Sequence, residues 1–169
     1  MCGIAGCISF SDAGLFHLAK IEKATSCLSR RGPDAEGFFR DTQIAFGHRR
    51  LSIIDLSPAG GQPMSDPTGR YTIIFNGEFF NYREHRNALL EKGVNLVSES
   101  DTEVLLHLFI NEGPACLNKV NGFFSLALYD KENQTVFMAR DRFGVKPFYF
   151  YADENAFLFA SEMKSLLAF

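Results

Sequence analysis

Strand-like runs come in groups in this sequence, and that grouping limits the folds open to it. Runs rich in β-branched and aromatic residues predict strands over 3–10, 36–40, 43–49, a short 51–54, and 70–75. Further strands are predicted over 123–129, 135–139, 147–151 and 156–160. The polar turn Lys131-Glu132-Asn133-Gln134 makes a hairpin of 123–129 and 135–139. Helical spacing is confined to a few places. Leu15, Leu18, Ala19, Ile21, Ala24, Thr25 and Leu28 predict an amphipathic helix over 15–28. A second is predicted over 82–92, with Gly93 as its stop. Ser100-Asp101-Thr102-Glu103 reads as a capping box ahead of the apolar face Val104, Leu105, Leu108, Phe109. Ser161 opens a last helix that runs to Phe169. Segments 31–34 and 57–63 read as loops. Helices that cluster between groups of strands favour an α+β fold of stacked, mainly antiparallel sheets with helices outside. A doubly wound parallel sheet would alternate the two more strictly.

Length and composition narrow the function classes. The 169 residues form one expected domain, without repeats or a linker. The 17 basic and 20 acidic residues give a net charge of −3, a poor balance for a phosphate backbone, so no nucleic-acid partner is expected. No apolar run approaches the ~18 residues of a membrane span, so no membrane partner is expected either. Met1 to Gly6 has no basic region of a signal peptide, which points to the cytoplasm and to reduced cysteines at 2, 7, 27 and 116. No C-x-x-C pair occurs, and Glu103 with His107 lacks a third ligand, so no metal site is expected and His107 reads as structural. Phe alone supplies 18 aromatic side chains, read as core packing. The chain stops on Ser-Leu-Leu-Ala-Phe inside a predicted helix, as a fragment or excised domain would.

Three places can carry chemistry. Cys2 becomes the first residue if Met1 is trimmed, and then holds a thiol and a free α-amine together. An α-amine titrating at about 7.7–8.0 is a usable general base for a thiol nucleophile. Otherwise Cys2 is only a small residue at the start of a strand. Asn76-Gly77 is either a hairpin turn or an oxyanion hole built from a side-chain amide and a backbone N–H. Arg50 can clamp a carboxylate in bidentate fashion and Asp101 can hold an ammonium, so the pair can grip an α-amino acid. The alternatives are a solvated Arg49-Arg50 pair and a helix-start acid.

As an ordered set these motifs are familiar. Met1-Cys2-Gly3-Ile4-Ala5-Gly6, Arg31-Gly32-Pro33-Asp34, Gly47-His48-Arg49-Arg50-Leu51-Ser52-Ile53-Ile54-Asp55 and Asn76-Gly77-Glu78 come first. Ser100-Asp101-Thr102-Glu103, Arg140-Asp141-Arg142-Phe143-Gly144 and Phe159-Ala160-Ser161-Glu162-Met163-Lys164-Ser165-Leu166 follow. The whole chain resembles the glutaminase domain of class II glutamine amidotransferases, the asparagine-synthetase type above all. The resemblance implies a four-layer αββα sandwich of the N-terminal nucleophile hydrolase type. It implies that residues 1–169 hydrolyse glutamine through a Cys2 thioester, with Asn76 and Gly77 as the oxyanion hole. Arg50, Leu51, Ile53, Glu78 and Asp101 are implied as substrate-binding residues. The ammonia acceptor would belong to an ATP-dependent synthetase domain, in the same longer chain or a separate subunit. No cofactor is expected in these residues, because neither a Ser-Gly-Gly-x-Asp-Ser nor a G-x-x-x-x-G-K-[ST] loop occurs. ATP and Mg²⁺ would belong to the synthetase domain. One departure is Arg30, where relatives usually carry His. Other readings are an amidotransferase for a different carboxylate, another class II enzyme, or a non-catalytic glutamine-binding or docking domain.

Overall fold

The computed structural model describes residues 1–169. Two antiparallel sheets carry the fold. One contains β1 (Gly3–Ser9), β2 (Ala35–Arg40), β3 (Ile44–Arg50), β8 (Tyr149–Ala152) and β9 (Ala156–Ala160), in the order β2-β3-β1-β9-β8. The other contains β4 (Met64–Ser65), β5 (Tyr71–Phe79), β6 (Gly122–Asp130) and β7 (Thr135–Arg140), in chain order. Four helices, α1 (Ile21–Ser26), α2 (Tyr82–Glu91), α3 (Asp101–Glu112) and α4 (Met163–Leu166), complete it.

Alternation along the strands explains the layering. Ile4, Ile44, Phe46, Ile74, Ala127, Tyr129 and Phe159 form a core between the sheets. Their neighbours on β1, β3 and β9 turn outward, where Ala5, Cys7, Ala45, Leu158 and Ala160 pack under Ile21, Ala24, Leu28 and Leu166. On the other sheet Ile73, Phe75, Leu126 and Leu128 pack under Leu89, Val104, Leu105 and Leu108. Helices therefore cover the outer faces of two stacked sheets, and the αββα sandwich expected from the sequence is the observed architecture. The phenylalanines serve this packing in part. Phe46 and Phe159 meet edge to face at 6.0 Å, and Phe148 stacks on Phe159 at 5.1 Å.

Several expected elements differ. The helix expected over 15–28 is split into a 3-10 stretch, Asp12–Lys20, and α1. Gly14 lets the 3-10 stretch approach the 155 loop, since a Cβ there would lie 2.2 Å from the Asn155 carbonyl oxygen. Segment 51–54 is not a strand. Its amides go to side chains, Leu51 N–H to Cys2 Sγ at 3.4 Å and Ser52 N–H to Asp34 Oδ2 at 2.7 Å. Strand β5 continues through Asn76-Gly77 to Phe79, paired throughout with β6, so the dipeptide is not a turn. Ser161 does not cap a helix, because its Oγ accepts from Ile4 N–H at 3.0 Å. The last helix is accordingly only α4, four residues long. The capping box is half formed. Ser100 accepts from Thr102 N–H at 3.2 Å, while Glu103 turns away to the N–H groups of Val97 and Ser98, each at 2.8 Å.

Candidate active site

Along the central strands the inward row changes from apolar to polar at one end. On β3 it reads Ile44, Phe46, His48, Arg50, and on β5 it reads Ile74, Asn76, Glu78. On β6 it reads Tyr129, Ala127, Ser125, and on β1 Ile4 gives way to Cys2. The polar ends meet around a small cleft of about 90 Å³. Cys2, Arg50, Leu51, Ile53, Asn76, Gly77, Glu78 and Asp101 all line it. Every site residue expected from the sequence is thus brought to one place.

Cys2 is half-buried, and its Sγ also reaches the Leu51 carbonyl at 3.7 Å. Burial pushes its thiol titration up, and the Leu51 N–H opposes that shift by favouring the thiolate. Met1 is still joined to it and shares the cleft wall. Arg31 fixes the cysteine backbone, with Nε donating to Cys2 O at 2.9 Å and Nη1 paired with Glu162 at 3.4 Å.

Asn76 is fully buried, and neither polar atom of its amide has a hydrogen-bond partner. An unpaired buried amide costs stability, about 1–3 kcal/mol per group, which a ligand in the cleft can repay. Gly77 follows from strand alternation. Phe75 N–H donates to Gln62 Oε1 at 2.6 Å, and Phe79 N–H to Asp101 Oδ2 at 3.0 Å, both on the edge of β5 away from β6. Gly77 N–H lies between them and points the same way, past the end of the two-residue β4. A side-chain amide and a backbone N–H thus stand on adjacent residues at the cleft.

Arg50 is buried, yet it has no carboxylate partner. Its Nη1 donates to Ser57 O at 2.7 Å and its Nη2 to Asp55 O, both backbone carbonyls. Gly60 leaves the space it needs, since a Cβ there would lie 2.4 Å from Nη2. Across the cleft, burial pushes the Asp101 carboxyl up to about 6; the Phe79 N–H opposes the shift and the Glu78 carboxylate adds to it. His48 joins the two sheets, its Nε2 lying 3.3 Å from Phe75 O. A carbonyl only accepts, so Nε2 carries the proton. Burial depresses its titration to about 3, and the ring stays neutral.

Sequence reasoning missed Arg31, Gln62 and Lys146. Arg31 and Glu162 each lie in one of the ordered motifs, which was the available signal; their pairing is visible only in the fold. Gln62 ties β5 to α3 by donating from Nε2 to Thr102 Oγ1 at 3.1 Å, which no local pattern announces. Arg30 is exposed and does not line the cleft.

The Glutamine amidotransferase domain family matches residues 1–169. The chain is 39% identical to asparagine synthetase (glutamine-hydrolysing) 3 of Bacillus subtilis strain 168, over 99% of this chain and 28% of that protein. It is 38% identical to amidase chry2 of Gibberella zeae, over 89% of this chain and 22% of that protein. It therefore spans under a third of the length of these relatives. Among solved structures, the glutamine phosphoribosylpyrophosphate amidotransferase of B. subtilis superimposes over 99% of this chain and 43% of its own, with a TM-score of 0.79 at 20% identity. That likeness supports the fold, and the match over the full length settles the family: this chain belongs to the glutamine amidotransferase domain family.

Proposed function

We propose that this chain hydrolyses glutamine to glutamate and ammonia through a thioester on Cys2. The observation that carries the reading is the meeting, in one cleft, of a half-buried thiol, an unpartnered buried amide, a carboxylate-free Arg50 and Asp101. Arg50 takes the α-carboxylate of glutamine, with Leu51 and Ile53 beside it, and Asp101 with Glu78 takes the α-ammonium. The side-chain amide then lies toward Cys2.

Removal of Met1 frees the Cys2 α-amine, which accepts the thiol proton. The thiolate adds to the amide carbon, and the C=O electron pair moves onto oxygen. Asn76 Nδ2 and Gly77 N–H donate to that oxyanion, each worth roughly 2.7–4 kcal/mol in the transition state. The α-ammonium returns the proton to the departing nitrogen, the C–N bond breaks and ammonia leaves. Water then adds to the thioester, the C–S bond breaks, and glutamate and the free thiol result.

The ammonia passes to an ATP-dependent synthetase segment, in a longer chain or a separate subunit, for asparagine synthesis in the cytoplasm. ATP and Mg²⁺ belong to that segment. Replacing Cys2 by Ala is expected to lower ammonia release from glutamine by at least about 10³-fold while the chain stays folded. Release at the wild-type rate by that variant overturns the mechanism.

A further inference from the structure

The glutamine scheme gives the motif Arg140-Asp141-Arg142-Phe143-Gly144 no task, yet its Arg140 and Asp141 side chains are heavily engaged. The Asp141 carboxylate accepts from the backbone N–H groups of Phe124, Phe143, Val145 and Lys146, at 3.0–3.2 Å. Arg140 donates to the carbonyls of Gly144 and Lys146. Gly144 makes the reversal at φ 63°, in the left-handed region that glycine enters without strain. The turn so fixed leads from β7 back to the cleft, and what it delivers there is the Lys146 side chain.

Lys146 is 5% exposed and lines the cleft beside Cys2 and Glu78. Its Nζ has the Met1 thioether at 2.9 Å and the face of Phe123 at 4.5 Å. None of the ion pairs of the chain includes it. Burying an ammonium without a paired anion is costly, so a cation held this firmly in a cleft wall calls for a role.

We propose that Lys146 is a positioning residue for charge at Cys2, holding the thiol toward its thiolate and the α-amine freed by loss of Met1 toward its neutral form. The inference rests on Cys2 being the nucleophile. A nearby cation favours loss of a proton from the thiol–ammonium pair, and the singly protonated pair that results is the reactive one, because its remaining proton goes to the departing nitrogen. Arg31, from the turn after α1, and Arg50, at the end of β3, add to this field. Glu78 from β5 and Asp101 from α3 oppose it, while Asp141 is engaged by its own turn. Burial pushes the Cys2 thiol up, with Arg50 among the groups opposing the shift, and burial pushes the Lys146 ammonium down, with Glu78 and Cys2 opposing that one.

The test is the pH dependence of Cys2 alkylation by iodoacetamide in the full chain, followed by peptide mass so that Cys27 is counted separately. In Lys146→Met the midpoint is expected to rise by about one pH unit, and in Lys146→Arg to stay at the wild-type value. A midpoint in Lys146→Met that is unchanged or lower overturns the proposal. If Lys146→Met does not fold, Lys146→Gln carries the same comparison. Failure of the glutaminase reading shows itself separately, as a wild-type chain that releases no ammonia, and leaves the alkylation comparison intact.

Discussion

Arg50 is a buried cation whose hydrogen-bond partners in the chain are carbonyls, not an anion. In the proposed scheme it holds the glutamine carboxylate alike in the ground and transition states. Arg50→Ala is therefore expected to raise KM by about 10–100-fold, the equivalent of one charge-assisted pair, with kcat little changed. Steady-state kinetics checks the split, and a fall in kcat at constant KM would reassign the residue. Asp101 gives a pH signature. Its carboxyl titrates near 6 in the free cleft and must be ionised to hold an ammonium. Glutamine affinity is then full above pH 6 and falls roughly tenfold per unit below it, by linkage. KM measured from pH 5 to 8 reads this directly, and Asp101→Asn is expected to bind weakly without that pH dependence. These residues were legible in the sequence because each is a charged type inside a motif. Lys146 was not, because its significance lies in being buried without a paired anion, which only packing reveals.

Strand β5 is the element on which the site is built. It runs on past β4, so the N–H groups of Phe75, Gly77 and Phe79 open onto the cleft, and only the outer two meet side chains. Local patterns read the first half of this strand and stopped at Phe75, because Asn-Gly is the commonest short hairpin signal. Pairing with β6 carries the chain straight through it. Gly77 is required by packing, not by backbone angle. A Cβ there would lie 2.7 Å from both Phe123 O and Phe124 Cβ. Gly77→Ala is expected to cost about 1–3 kcal/mol of stability through overpacking and to lower kcat as the N–H shifts. Thermal unfolding and turnover together check it; a variant with unchanged stability and kcat would remove Gly77 from the site. Hairpins such as β6–β7 were legible from their polar turn. The two-residue β4 and the amides of 51–54 that bond to side chains left no periodic trace.

At the scale of the molecule, the stacking of two sheets makes the site, since Cys2 and Arg50 come from one and Asn76, Glu78 and Gly77 from the other. The sequence indicated stacked sheets through its grouped strands, but not which ends would meet. That depends on the change from apolar to polar along the inward rows, which becomes visible once the register is known. The same polar end leaves Met1 against Lys146 at the cleft wall, where its removal would turn a peptide nitrogen into the proposed base. The most direct test of the whole account is intact mass before and after an electrophilic glutamine analogue, with the adduct mapped by peptide mass. The account predicts a chain without Met1 that gains one adduct, on Cys2. A chain that has lost Met1 and gains none on Cys2 would contradict it.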